Sequence, residues 1–64
     1  MEKLNITSGC IVQIAAFDEI PEHSFLVDEV YDDCITGVAL SGLLAGEYGE
    51  PDLALIVRVL STPS

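Results

Sequence analysis

Apolar residues in this chain come in short, β-branched runs separated by polar, turn-prone breaks, not at helical spacing. The run CIVQIAAF at residues 10–17 follows Ser8-Gly9 and gives way to Asp18-Glu19-Ile20-Pro21-Glu22-His23-Ser24. That order predicts a strand followed by a long polar loop. Pro21 has no amide hydrogen and restricts Ile20, which disfavours a helix through the loop.

Two further β-prone runs, FLVDEVY at residues 25–31 and CITGVAL at residues 34–40, flank Asp32-Asp33. They predict a β-hairpin in which Tyr31 faces Cys34, Glu29 faces Thr36, Val27 faces Val38 and Phe25 faces Leu40. Leu26, Asp28, Val30, Ile35, Gly37 and Ala39 then share the opposite face, and both faces carry apolar residues. A two-residue turn prefers Gly in its second position, so a longer loop or a bulge near Asp28-Glu29 would shift this register. Gly42, Gly46, Gly49 and Pro51 make residues 41–52 a turn-rich connection in which Leu43-Leu44-Ala45 can form one helical turn. The run LALIVRVL at residues 53–60 predicts a last strand with Leu53, Leu55, Val57 and Val59 on one face, followed by a frayed tail at residues 61–64.

Short strands, one long early loop, one tight hairpin and no convincing helix predict an all-β chain: a single small domain over residues 1–64, built as a five-stranded antiparallel barrel. Order and spacing resemble the SH3-like barrel, with residues 17–24 as its RT-type loop, residues 25–40 as its tight hairpin and residues 46–51 as its distal connection; a small OB-like or other five-stranded barrel is the alternative. Peptide-binding SH3 domains line their groove with aromatics that include Trp. This chain has no Trp, so the resemblance implies the barrel and not recognition of proline-rich peptides. The wording VDEVYDD at residues 27–33 and GEYGEP at residues 46–51 also resembles short acidic uncharacterised proteins of marine phages and marine metagenomes, a likeness that implies no activity.

Composition narrows the partners. Half of the 64 residues are apolar, which is rich for a body this small and predicts that some apolar surface meets a second copy. The formal net charge is −9, and no basic residue lies between Lys3 and Arg58, a gap that holds ten of the eleven acids. With two cations in the whole chain, neither nucleic acid nor an anionic membrane surface is an expected partner. A basic protein surface is one, and solubility alone is the plainer account of the charge. No run approaches the roughly 20 apolar residues that span a bilayer, and the N-terminus lacks the basic-then-apolar order of a secretory signal. The expected location is therefore the cytoplasm, where the sequon Asn5-Ile6-Thr7 would carry no sugar.

Few residues point to chemistry. Cys10, His23 and Cys34 are too widely separated for a structural zinc site, and both cysteines read as small buried hydrophobes, with a disulfide between them as the alternative. The pairs Asp18-Glu19, Asp28-Glu29 and Asp32-Asp33 do not follow a calcium-loop order and read as solvated acids at turns and sheet edges. No phosphate loop, nucleophile elbow or metalloprotease motif occurs, so neither a catalytic residue nor a cofactor is expected. Residues placed for partner contact are the amphipathic Tyr31 and Tyr48, with Asp18, Glu19, Glu22 and His23 in the early loop. The expected function is a non-enzymatic protein-interaction module that self-associates. Its alternatives are an acidic nucleic-acid mimic or cover for a basic protein surface and, last, a small metal-binding protein or enzyme.

Overall fold

The computed structural model describes residues 6–63. Lys3 and the sequon's Asn5 lie outside the described residues. Five antiparallel strands form one sheet: β1 (Ile11–Ile14), β2 (His23–Val30), β3 (Ile35–Ala39), β4 (Tyr48–Gly49) and β5 (Ile56–Ser61), in the order β4-β3-β2-β1-β5. The expected all-β, five-stranded antiparallel fold is thus the one that forms. Among the described residues there is no α-helix, and no helix long and apolar enough to cross a membrane.

Successive rows of register-paired residues alternate between the two faces, as the pleat requires. Val59, Val12, Phe25 and Ala39 are register partners across β5, β1, β2 and β3. Val12, Phe25 and Ala39 are buried and Val59 packs against them. Ile56, Ile14 and His23 form the next inward row, and Ile14 and Ile56 join Cys10, Val27 and Ile35 in the same core. The β1–β2 ladder continues beyond Ile11, because Gly9 N donates to Val27 O and Val27 N donates to Cys10 O, both at 2.8 Å.

The hairpin turns at Asp32-Asp33 as expected, with Val30 opposite Ile35 and Glu29 opposite Thr36. Beyond them the register shifts: Val27 pairs Gly37, Leu26 pairs Val38 and Phe25 pairs Ala39. Asp28 is the extra residue, a β-bulge that exchanges the β3 partners of Phe25 and Val27 for those on the opposite face. Val38 and Leu40 therefore turn away from the core, while Gly37 and Ala39 turn into it. Gly37 is required by close approach, because a Cβ there would lie 1.9 Å from the Leu26 carbonyl oxygen.

The last strand also departs from its simple alternation. Leu53–Leu55 is a 3-10 turn and β5 begins only at Ile56. Register shifts against β1 leave Val57 and Leu60 without partners. Those two bulged residues are exposed, whereas Ile56 is buried, so the inward set is Ile56 and Val59, not the expected Val57 and Val59. Bulges and a single Arg on the outer strand also make its free edge a poor template for adding another strand. Of the expected tail, Ser61 closes β5, residues 62–63 are exposed, and residue 64 lies outside the described residues.

Residues 40–55 cross from β3 to β5 without a long element. A turn at residues 42–46 returns the chain so that Ala39 N donates to Glu47 O at 3.1 Å and Gly46 N donates to Ala39 O at 2.8 Å. The two-residue β4 follows, a strand inside the expected distal connection. The chain then straps along the end of the sheet. Ile35 N donates to Pro51 O at 3.0 Å, Leu53 N to Asp33 O at 3.1 Å, and Ala15 N to Leu55 O at 2.7 Å. Among the described residues no ladder joins β4 to β5, and these strap bonds hold the two ends of the chain's path together.

Candidate functional site

Two features of the surface stand apart from the core. The first is a row on the outer face, one residue out of phase with the buried one. Ile11 pairs Leu26, Leu26 pairs Val38 and Val38 pairs Tyr48. Four strands thus place four large apolar or amphipathic side chains side by side over about 14 Å, at roughly 4.8 Å per strand. Ile11 and Val38 are half-buried, while Leu26 is 38% and Tyr48 62% exposed. Their continuity depends on the Asp28 bulge, because without it Leu26 would face a different residue of β3.

The second feature is a cleft of about 300 Å³ between the early loop, the end of β3 and the strap. Its buried members are His23, Phe25 and Ala39; Phe17, Leu44 and Leu55 give it apolar walls. Glu47, Glu50 and Asp52, all exposed, complete the lining. Tyr48 borders both the cleft and the outer row.

The early loop holds its side of the cleft in a defined shape. Phe17 and Ile20 exchange backbone hydrogen bonds of 3.0 and 2.7 Å around Asp18-Glu19. Asp18 occupies the left-handed region with φ 50°, which Asp tolerates in tight turns. The consequence is that Asp18 and Glu19 are at the loop tip, exposed, and Glu22 is exposed after Pro21. None of these three acids lines the cleft.

His23, expected in the loop, is instead the first residue of β2 and only 6% exposed. Its Nδ1 bonds the Pro21 carbonyl at 2.9 Å, and its ring lies 6.2 Å from that of Phe17. A solvated loop histidine is therefore replaced by a nearly fully buried one. Sequence reasoning had no signal for this, since the residues that cover His23, Gly42 among them, are distant in the chain.

The two tyrosines are exposed and each is tied to an acid two residues away. Tyr31 donates to Glu29 Oε1, and the Glu29 carboxylate holds the phenol above its ordinary pKa. Tyr48 donates to Glu50 Oε2 at 3.1 Å; partial desolvation, followed by that bond, raises its pKa. Only Tyr48 belongs to either surface feature. The cysteines are both free. Cys10 is fully buried, as expected, with Thr7 N donating to its Sγ at 3.4 Å. Cys34 is only half-buried, at the hairpin turn, where desolvation and then the neighbouring Asp33 charge push its thiol pKa up. Arg58 donates to Gln13 Oε1 at 3.2 Å, its register partner.

Among the described residues no group of three or more His, Cys, Asp or Glu side chains is placed to hold a metal ion. Comparison with protein families, curated proteins and solved structures finds no match.

Proposed function

We propose that this protein is a non-enzymatic interaction module that self-associates through the outer row of Ile11, Leu26, Val38 and Tyr48. The observation that supports this reading is the pairing of four apolar side chains in one uninterrupted row on the solvent face. Scattered exposed apolar residues are ordinary, whereas a contiguous apolar patch marks a surface that meets something. A two-fold contact places the same row on both partners, so one row suffices.

The net charge of −9 opposes bringing two copies together. Screening lowers that repulsion, so self-association strengthens as salt rises. Covering a basic protein, the second reading, responds with the opposite sign, because salt weakens attraction between unlike charges. Isotope-filtered NMR on a mixture of labelled and unlabelled chains tests the first reading. Intermolecular contacts should come from the Leu26 and Val38 methyls and the Tyr48 ring. Contacts elsewhere, or none at millimolar concentration, contradict it.

A further inference from the structure

We propose that the cleft beside β4 is a binding site for an arginine side chain of a partner protein, presented next to an apolar residue. The site is distinct from the self-association row apart from the shared Tyr48. Three independent observations carry the assignment.

The cleft's polar side chains are acceptors first of all. Glu47, Glu50 and Asp52 contribute carboxylates, and Tyr48 already gives its hydroxyl hydrogen to Glu50. No cation lines it.

His23 supplies the second observation. A carbonyl only accepts, so Nδ1 donates to Pro21 O, and in the neutral tautomer compatible with that bond Nε2 is an acceptor. Nε2 has no hydrogen-bond partner among the described residues. No fully enclosed side-chain nitrogen or oxygen among them lacks a partner. His23, only 6% exposed, lines this cleft, and we assign the opening of Nε2 to it. A nearly buried histidine whose open nitrogen has no protein partner is placed to accept an N–H from a ligand.

Shape and aromatic content are the third. Walls from Phe17, Leu44 and Leu55, with Tyr48 at the border, suit the aliphatic stem of a long cation, while its head reaches the carboxylates. Arg fits better than Lys because its planar guanidinium offers five donors in a fork and stacks on aromatic rings. A cavity of about 300 Å³ lies at the small end of ligand pockets, room for one such side chain and an apolar neighbour.

The test titrates the 64-residue chain with the peptide Ac-Ala-Leu-Arg-Leu-Ala-NH2, followed by two-dimensional amide NMR and the His23 ring resonances. The titration is run on wild type and on Leu26→Ser, which removes self-association as a complication. Saturable shifts should centre on Phe17, His23, Leu44 and Tyr48. The peptide with citrulline in place of arginine keeps shape and loses charge, and it should bind at least about threefold more weakly. Glu47→Gln combined with Glu50→Gln should weaken arginine-peptide binding by about three- to tenfold, whereas Asp18→Asn combined with Glu19→Gln should leave it unchanged. Four results overturn the proposal: no saturable shift, shifts spread equally over the loop-tip acids, equal binding of the citrulline peptide, or equal weakening by the two acid-pair variants. If N-acetyl-arginine amide binds as tightly as the peptide, the site takes a small organic cation, and the assignment to a partner protein fails.

Discussion

Two neighbouring rows of the same sheet, Val59-Val12-Phe25-Ala39 and Ile11-Leu26-Val38-Tyr48, are about equally apolar and have opposite fates. The first is enclosed by the early loop, the strap and the rest of the core; the second faces outward with Leu26 and Tyr48 exposed. Burial here follows from phase in the pleat and not from hydrophobicity. A chain of this size cannot enclose both faces of its sheet, because too little of it remains to cover the second. The apolar excess in the composition thus resolves into a core and a partly exposed outer row.

Deleting Gln13 should break the distinction most severely. It makes the buried Val12 and Ile14 immediate neighbours in the strand between β2 and β5, and because successive residues of a strand point to opposite faces one of the two must turn outward, so the two rows mix. The expected outcome is loss of the cooperative thermal transition by circular dichroism. A well-folded deletion variant would show that phase in the pleat does not set the faces.

Single truncations then separate the faces by energy. Ile14→Ala, in the buried face, should cost about 2–5 kcal/mol in denaturant unfolding. Leu26→Ser should change the stability of the dilute chain by no more than about 0.5 kcal/mol. Comparable losses at the two positions would mean that the outer row is part of the folding core. Gly37→Ala should cost about 1–3 kcal/mol or more, since its methyl meets the Leu26 carbonyl at 1.9 Å. A neutral result there would mean that β2 and β3 part readily.

The smallest effect is in the pH dependence. Cys34, Tyr31 and Tyr48 all hold their protons more tightly than free side chains do. Folded-state pKa values above the unfolded ones leave this contribution complete below the ordinary thiol and phenol values. It is lost as pH rises through the raised ones. Stability should therefore decline gently from the upper end of the neutral range into alkali. Alkylation of native Cys34 near pH 8 should be slower than that of a free cysteine, because only the thiolate reacts. Cys10 should react only on unfolding. A fast Cys34 would contradict the raised value.

Much of the fold was legible from local pattern. The hairpin turn at Asp32-Asp33, the possible bulge beside Glu29 and the first strand all follow from runs of β-branched residues and the breaks between them. The faces of β3 were not, since one unpaired residue reverses them. β4 has two residues, Tyr48 and Gly49, set among Glu and Gly, too few for any alternation to register. The run at residues 53–60, apolar except for Arg58, concealed both the 3-10 turn and the bulges at Val57 and Leu60, because both of its phases are mostly apolar. Of the exposed tyrosines and loop-tip acids, only Tyr48 joins a surface feature. The cleft assembles from segments more than 20 residues apart, Phe17 and Leu44 among them. No local spacing encodes such a site.

Sedimentation equilibrium of the unmodified chain, across concentration and at low and high salt, tests the proposed contact surface most directly. The outer row as a self-association surface predicts dimers or larger assemblies at micromolar concentration, tighter at high salt and lost in Leu26→Ser. A monomer at every concentration and salt, or an assembly indifferent to Leu26→Ser, would contradict it.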